Sequence, residues 1–108
     1  MSSRQKGQKA AADRGPELVL RLYIAGCASN SVQAVENINE ICEEYHRDSY
    51  RLEIIDVLEH PRRAMADGIL VTPTLLKLSP APAAQVVGNL SDRKKVILAI
   101  GSKDGSHE

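Results

Sequence analysis

The chain has no tryptophan and no phenylalanine, and its only aromatics are Tyr23, Tyr45 and Tyr50. Its core must therefore be aliphatic, built from Ile, Leu, Val and Ala. No apolar run approaches the roughly 20 residues that a membrane span needs. The first residues, MSSRQKGQKAAADRG, lack the apolar centre of a secretory signal. A cytoplasmic location is the expectation. Net charge is also absent, since 14 basic residues balance 14 acidic ones. No global field draws the chain to nucleic acid or to an anionic membrane, and neither is expected as a partner. Phosphate-cradling glycine loops are missing, because Gly26 and Gly68 stand alone.

Cysteine is scarce. Cys27 and Cys42 lie about 15 positions apart, which on a helix at ~1.5 Å per residue is about 20 Å. A disulfide needs Cα atoms within roughly 7 Å, so no internal bridge is expected. His46, His60 and His107 show no ligand spacing with cysteines or carboxylates, and neither a metal nor another cofactor is expected.

With 108 residues the chain has room for one domain with a small core. Residues 1–16 are polar and without periodicity, the composition of a disordered arm. The domain is expected over 17–101, and 102–108 form a polar tail. Leu18–Ala25 is a near-continuous apolar run with one charge, as suits a strand covered on both faces. Ala34, Val35, Ile38, Ile41, Cys42 and Tyr45 recur at spacings of three and four. They predict a helix over 29–46, capped by Ser29 or Asn30. Its glutamates form a solvated face. Tyr50–Val57 predicts a second strand, parallel to the first through a right-handed crossover.

Pro61 opens a short helix that Gly68 ends. Thr74–Leu78 and Gln85–Val87 predict an antiparallel pair around the prolines of 79–83. Residues 93–100 read as a closing helix capped by Ser91, with Leu90, Val96, Ile97 and Ile100 inward. The apolar run Val96–Ile100 equally fits a strand. The order βαβαββα gives an α/β fold, a four-stranded mixed sheet with helices on both faces. In this fold Ile38, Ile41, Leu52, Ile54, Val57, Leu75, Val96 and Ile97 are expected inside.

No enzymatic site assembles. A thioredoxin-type oxidoreductase needs a low-pKa thiolate at a helix N-terminus and a second thiol three residues on. Cys27 holds the first position and Asn30 the second. A monothiol redox protein using Cys27 is the alternative function. Cys42 sits on the apolar stripe as a small core residue. Asp56 and Glu59 lack a nucleophile or base beside them.

Val71-Thr-Pro-Thr74 resembles the thioredoxin turn beside the active-site loop, which implies a cis bond before Pro73. A wider resemblance spans residues 18–100. It is carried by Leu18–Gly26, Asn30-Ser31-Val32, Ile55-Asp-Val-Leu58, Pro61, Asp67, Ile69-Leu70, Thr72-Pro-Thr-Leu75, Lys77, Gly88 and Leu90-Ser91. Together these resemble the KaiB family of bacterial circadian-clock proteins.

The resemblance implies a non-enzymatic partner of KaiC, a hexameric ATPase and autokinase, whose phosphorylation cycle the chain would modulate. It implies KaiA, or a sensor kinase with a KaiB-like domain, as further partners. It also implies two folds, a thioredoxin-like monomer that binds KaiC and a different homotetramer. Such a switch requires two packings within a few kcal/mol of each other. Ser91, Val96 and Ala99 mark the segment where they compete. Ala99 stands where family members commonly have Gly, and Ala favours helix by roughly 1 kcal/mol. On the implied KaiC surface Asp67, Lys77 and Thr74 are the candidate contacts, presented by Pro61 and Pro73. Glu53 and Gly68 stand where family members often carry Lys.

Overall fold

Leu18 to Ile24 carries a single charge among seven residues, a composition suited to a strand with no solvent face. The computed structural model describes residues 17–47 and 49–101, so the expected arm and tail lie outside the described residues. In it this segment is β1(Leu18–Ile24), followed by α1(Ser29–Tyr45), β2(Tyr50–Asp56), α2(Pro61–Ala66), β3(Thr74–Ser79), β4(Ala84–Val87) and α3(Arg93–Ile100). The strands form one sheet in the order β2-β1-β3-β4. β1 runs parallel to β2, with Leu22 opposite Ile54, and α1 supplies the crossover that this pairing requires. β3 is antiparallel to both β1 and β4.

Alternation along β1 splits the core in two. Leu18, Leu20 and Leu22 face α1 and α3 in a cluster with Ile38, Ile41, Leu75, Val96 and Ile100. Tyr23 points the other way and packs with Ile55 and Ala64 beneath α2. Each fully buried aliphatic side chain contributes about 1.5–3 kcal/mol, so the larger cluster dominates stability. Residues 93–100 are helical, which decides their ambiguity in favour of helix.

Both expected caps are corrected. Ala28 occupies the cap position of α1 and no side chain bonds there. Ser29 is already helical, and the hydroxyl of Ser31 instead accepts the Ala25 N–H at 3.0 Å. At α3 the cap is Asp92, whose carboxylate accepts the Lys95 N–H at 3.2 Å. Ser91 stands one residue too early, and its own N–H is bound to Asn89 Oδ1.

Of the expected core, Ile38, Ile41, Leu75 and Val96 are buried, and Leu52, Val57 and Ile97 are partly so. Ile54 is the exception at 42% exposed, while its neighbour Ile55 is buried. β2 is an edge strand, and Ile54 at its far end overhangs the rim on the α1 side, where Tyr50 and Leu52 still pack against the larger cluster; Ile55 lies opposite Tyr23 and under α2. Ile55→Ala should therefore cost about 2–5 kcal/mol and Ile54→Ala less than about 1 kcal/mol, read as midpoints of urea unfolding.

Candidate functional site

The C-terminal ends of β1 and β2 and the start of β3 meet at one end of the sheet, where Ile24 lies opposite Asp56 and Tyr23 opposite Thr74. Gly26 turns the chain there in the left-handed region (φ +57). Its N–H donates to Asp56 Oδ1 at 3.2 Å, and the same oxygen accepts the Leu58 N–H at 2.9 Å. One carboxylate thus ties the loop after β1 to the loop after β2. Cys27 is an exposed free thiol on this turn, and Asn30 is exposed on the first turn of α1. The other thiol, Cys42, is buried, and burial pushes it up to about 12. The two thiols are thus apart in setting, one exposed on the turn and one in the core.

On the far side of this end the Thr72–Pro73 bond is cis. The Thr74 hydroxyl donates to the Val71 carbonyl at 2.7 Å, and the Gly88 N–H donates to the Pro73 carbonyl at 2.9 Å. Among the described residues no group of three or more His, Cys, Asp or Glu could hold a metal ion.

The α2 side of the sheet carries a charge network that periodicity could not reveal. Arg21 on β1 bonds Glu53 on β2 at 3.1 Å and Asp67 at 2.9 Å. Arg63 on α2 reaches the second oxygen of Glu53 at 2.9 Å. The hydroxyl of buried Tyr23 donates to Asp67 Oδ2 at 2.6 Å. These two contacts, with Tyr23 foremost, hold the Asp67 carboxyl below its ordinary range. Burial would raise Glu53, but bonds from Arg63 and Arg21 outweigh it and lower it. Tyr23 moves up, chiefly through burial and then through its bond to Asp67.

The structure separates the residues expected to act together. Asp67 lies on the α2 side, at the end of α2. Lys77 lies opposite Leu20 and belongs to the other face, where it is only 7% exposed. Thr74 is buried and uses its hydroxyl internally. Pro61 is the first residue of α2, and Gly68 follows its end in the left-handed region (φ +71). What sequence reasoning missed is a set of exposed apolar side chains on and beside α2: Leu58, Met65, Leu70 and Val71, with Leu70 93% exposed. Met65–Val71 is apolar throughout except for Asp67 and Gly68, so its pattern gives no sign of which side chains face out.

Of the segment where two packings were expected to compete, Ser91 is exposed, Val96 buried and Ala99 half-buried on α3. Its entry is held by side-chain amides: Asn37 donates to the Asn89 carbonyl and Asn89 to Gln33, each at 2.8 Å. Leu90 follows with φ 65, a left-handed conformation that is rare for a bulky residue, and its side chain is buried.

Sheet order, the cis-proline turn and the cysteine-bearing loop define a thioredoxin-like domain that lacks the second thiol. Its fold is shared with the N-terminal domain of Synechococcus elongatus SasA (TM-score 0.65, 24% identity, 76% of this chain and 79% of that one). It is also shared with the Drosophila thioredoxin Deadhead (TM-score 0.64, 16% identity, 89% of each chain). The KaiB domain model matches residues 21–101. The circadian clock protein KaiB3 of Synechocystis is 49% identical over 83 residues, 77% of this chain and 81% of the relative. The circadian clock oscillator protein KaiB of Cyanothece is 46% identical over 82 residues, 76% and 78% of the two chains. The chain belongs to the KaiB family.

The network has a pH signature. A carboxyl whose folded pKa is lowered contributes stability that is present above its unfolded value and lost as pH falls through the folded one. Unfolded Asp and Glu titrate near about 4. Wild-type stability should therefore fall below about pH 4, and Asp67→Asn should fall less steeply. Urea midpoints compared at neutral and acid pH check this.

Proposed function

We propose that the chain is a non-enzymatic clock component that docks on a KaiC-type hexameric ATPase and modulates its phosphorylation cycle in the cytoplasm. Family membership supports the class of partner. The observation that carries the surface is the exposure of Leu58, Met65, Leu70 and Val71 on one stretch of chain around α2. Exposed apolar groups gathered in this way mark interaction sites, and their burial against a partner would supply the affinity. Arg63 and Glu53, each near half exposed beside them, provide charges that steer encounter and set specificity. A sensor kinase with a domain of this fold would compete for the same site on the ATPase.

The earlier candidates take different weights in this reading. Asp67 lies beside the surface with its carboxylate turned to β1, whereas Lys77 and Thr74 are enclosed side chains of β3. Cys27 has no part in docking.

Binding to a purified KaiC homologue from the same genome, measured by interferometry, tests the surface. Leu70→Asp and Met65→Asp should each weaken binding by about tenfold or more, ~1.4 kcal/mol, with an unchanged circular-dichroism spectrum. Cys27→Ser should bind as the wild type does. Equal affinity of Leu70→Asp and wild type would place the interface elsewhere. A thiol-disulfide exchange activity lost in Cys27→Ser, without any ATPase binding, would favour the redox alternative.

A further inference from the structure

Asp67 is an unexpected residue at its position. It is the C-terminal cap of α2, where a carboxylate opposes the partial negative charge of the helix end. Helix stability therefore does not explain it. Its contacts do: Oδ2 accepts from Arg21 Nη1 at 2.9 Å and from the Tyr23 hydroxyl at 2.6 Å, both on β1. That hydroxyl also lies 3.2 Å from the Arg63 carbonyl, one of the helix-end carbonyls of α2. The side chain of Asp67 is directed back to the sheet, and the backbone turns away from it. Its own N–H bonds the Arg63 carbonyl, while the Gly68 and Ile69 N–H groups bond Met65 and Ala64. Beyond that turn come Leu70 and Val71 in solvent.

We propose that Asp67 is a positioning residue and not a partner contact. With Tyr23 and Arg21 it clamps the end of α2 to β1, and so sets where Leu70 and Val71 stand. This rests on the docking reading above for its consequence, but the clamp itself is a property of the free chain. Charge-assisted bonds to a carboxylate are stronger than neutral ones, and the α2 cluster is otherwise small. These two bonds join the end of α2 to β1, while the Arg63–Glu53 pair ties its middle to β2.

Two readouts separate clamp from docking. Amide hydrogen exchange in the free protein should speed up by about tenfold at Gly68 and Ile69 in Tyr23→Phe, and likewise in Asp67→Asn, while amides of β1 and α1 keep their protection. Tyr23 has no exposed surface and cannot touch a partner. Its Phe variant should nevertheless weaken binding to the ATPase several-fold, and Asp67→Glu should restore part of the loss in Asp67→Asn. Unchanged exchange at Gly68 and Ile69 in both variants overturns the clamp. Faster exchange with wild-type affinity in Tyr23→Phe overturns the positioning role. If the wild type itself does not bind the ATPase, the docking reading fails, and the exchange data alone decide the clamp.

Discussion

Everything in this molecule is referred to β1. It is the inner strand of the parallel pair, its other edge is taken by β3, and both of its faces are covered. A strand in this position has no polar side to spare, which is why Leu18–Ile24 is apolar but for Arg21. That one charge is the exception that organises the α2 side. Arg21 cannot lie half-buried without partners, and Glu53 and Asp67 meet it from β2 and from the end of α2. The same alternation that places Leu20 and Leu22 under α1 thus places Arg21 and Tyr23 where they anchor a second, shorter layer.

The two layers differ in what holds them. α1 and α3 rest on a large aliphatic cluster, so their seating follows from hydrophobic burial. α2 has six residues and a smaller cluster, Tyr23, Ile55 and Ala64 with Val57, Ile69 and Leu76 half-buried around them, and a helix that short is not stable by itself. Directional bonds add to what that cluster supplies. It is on this side that the large side chains Met65 and Leu70 remain in water. The thioredoxin frame places its chemistry at the same end of the sheet. With Asn30 in place of a second thiol, what remains there is a surface of loops and apolar groups.

The elements of the fold were legible because each carries its own period: a continuous apolar run for β1, a stripe at spacings of three and four for α1, prolines and glycines at the breaks. Errors fell where two adjacent residues compete for one role. Ser91 and Asp92 can both cap a helix, and only the path of the chain after Leu90 decides that Asp92 does. Ile54 and Ile55 are chemically identical, and their fates differ because β2 is an edge and α2 covers only one of its faces.

The sequence by itself determined the order of the elements, the absence of a dithiol and the family, since local composition and residue identity need no partner to be read. Only the tertiary structure decided which side chains share a face. Asp67 and Lys77 look equivalent as isolated charges in a polar-apolar pattern. Strand register turns Lys77 toward Leu20 and away from α2, while the end of α2 folds Asp67 back onto Arg21 and Tyr23. Contacts between residues 44 and 46 positions apart have no local signature, because their geometry exists only once the strands have paired.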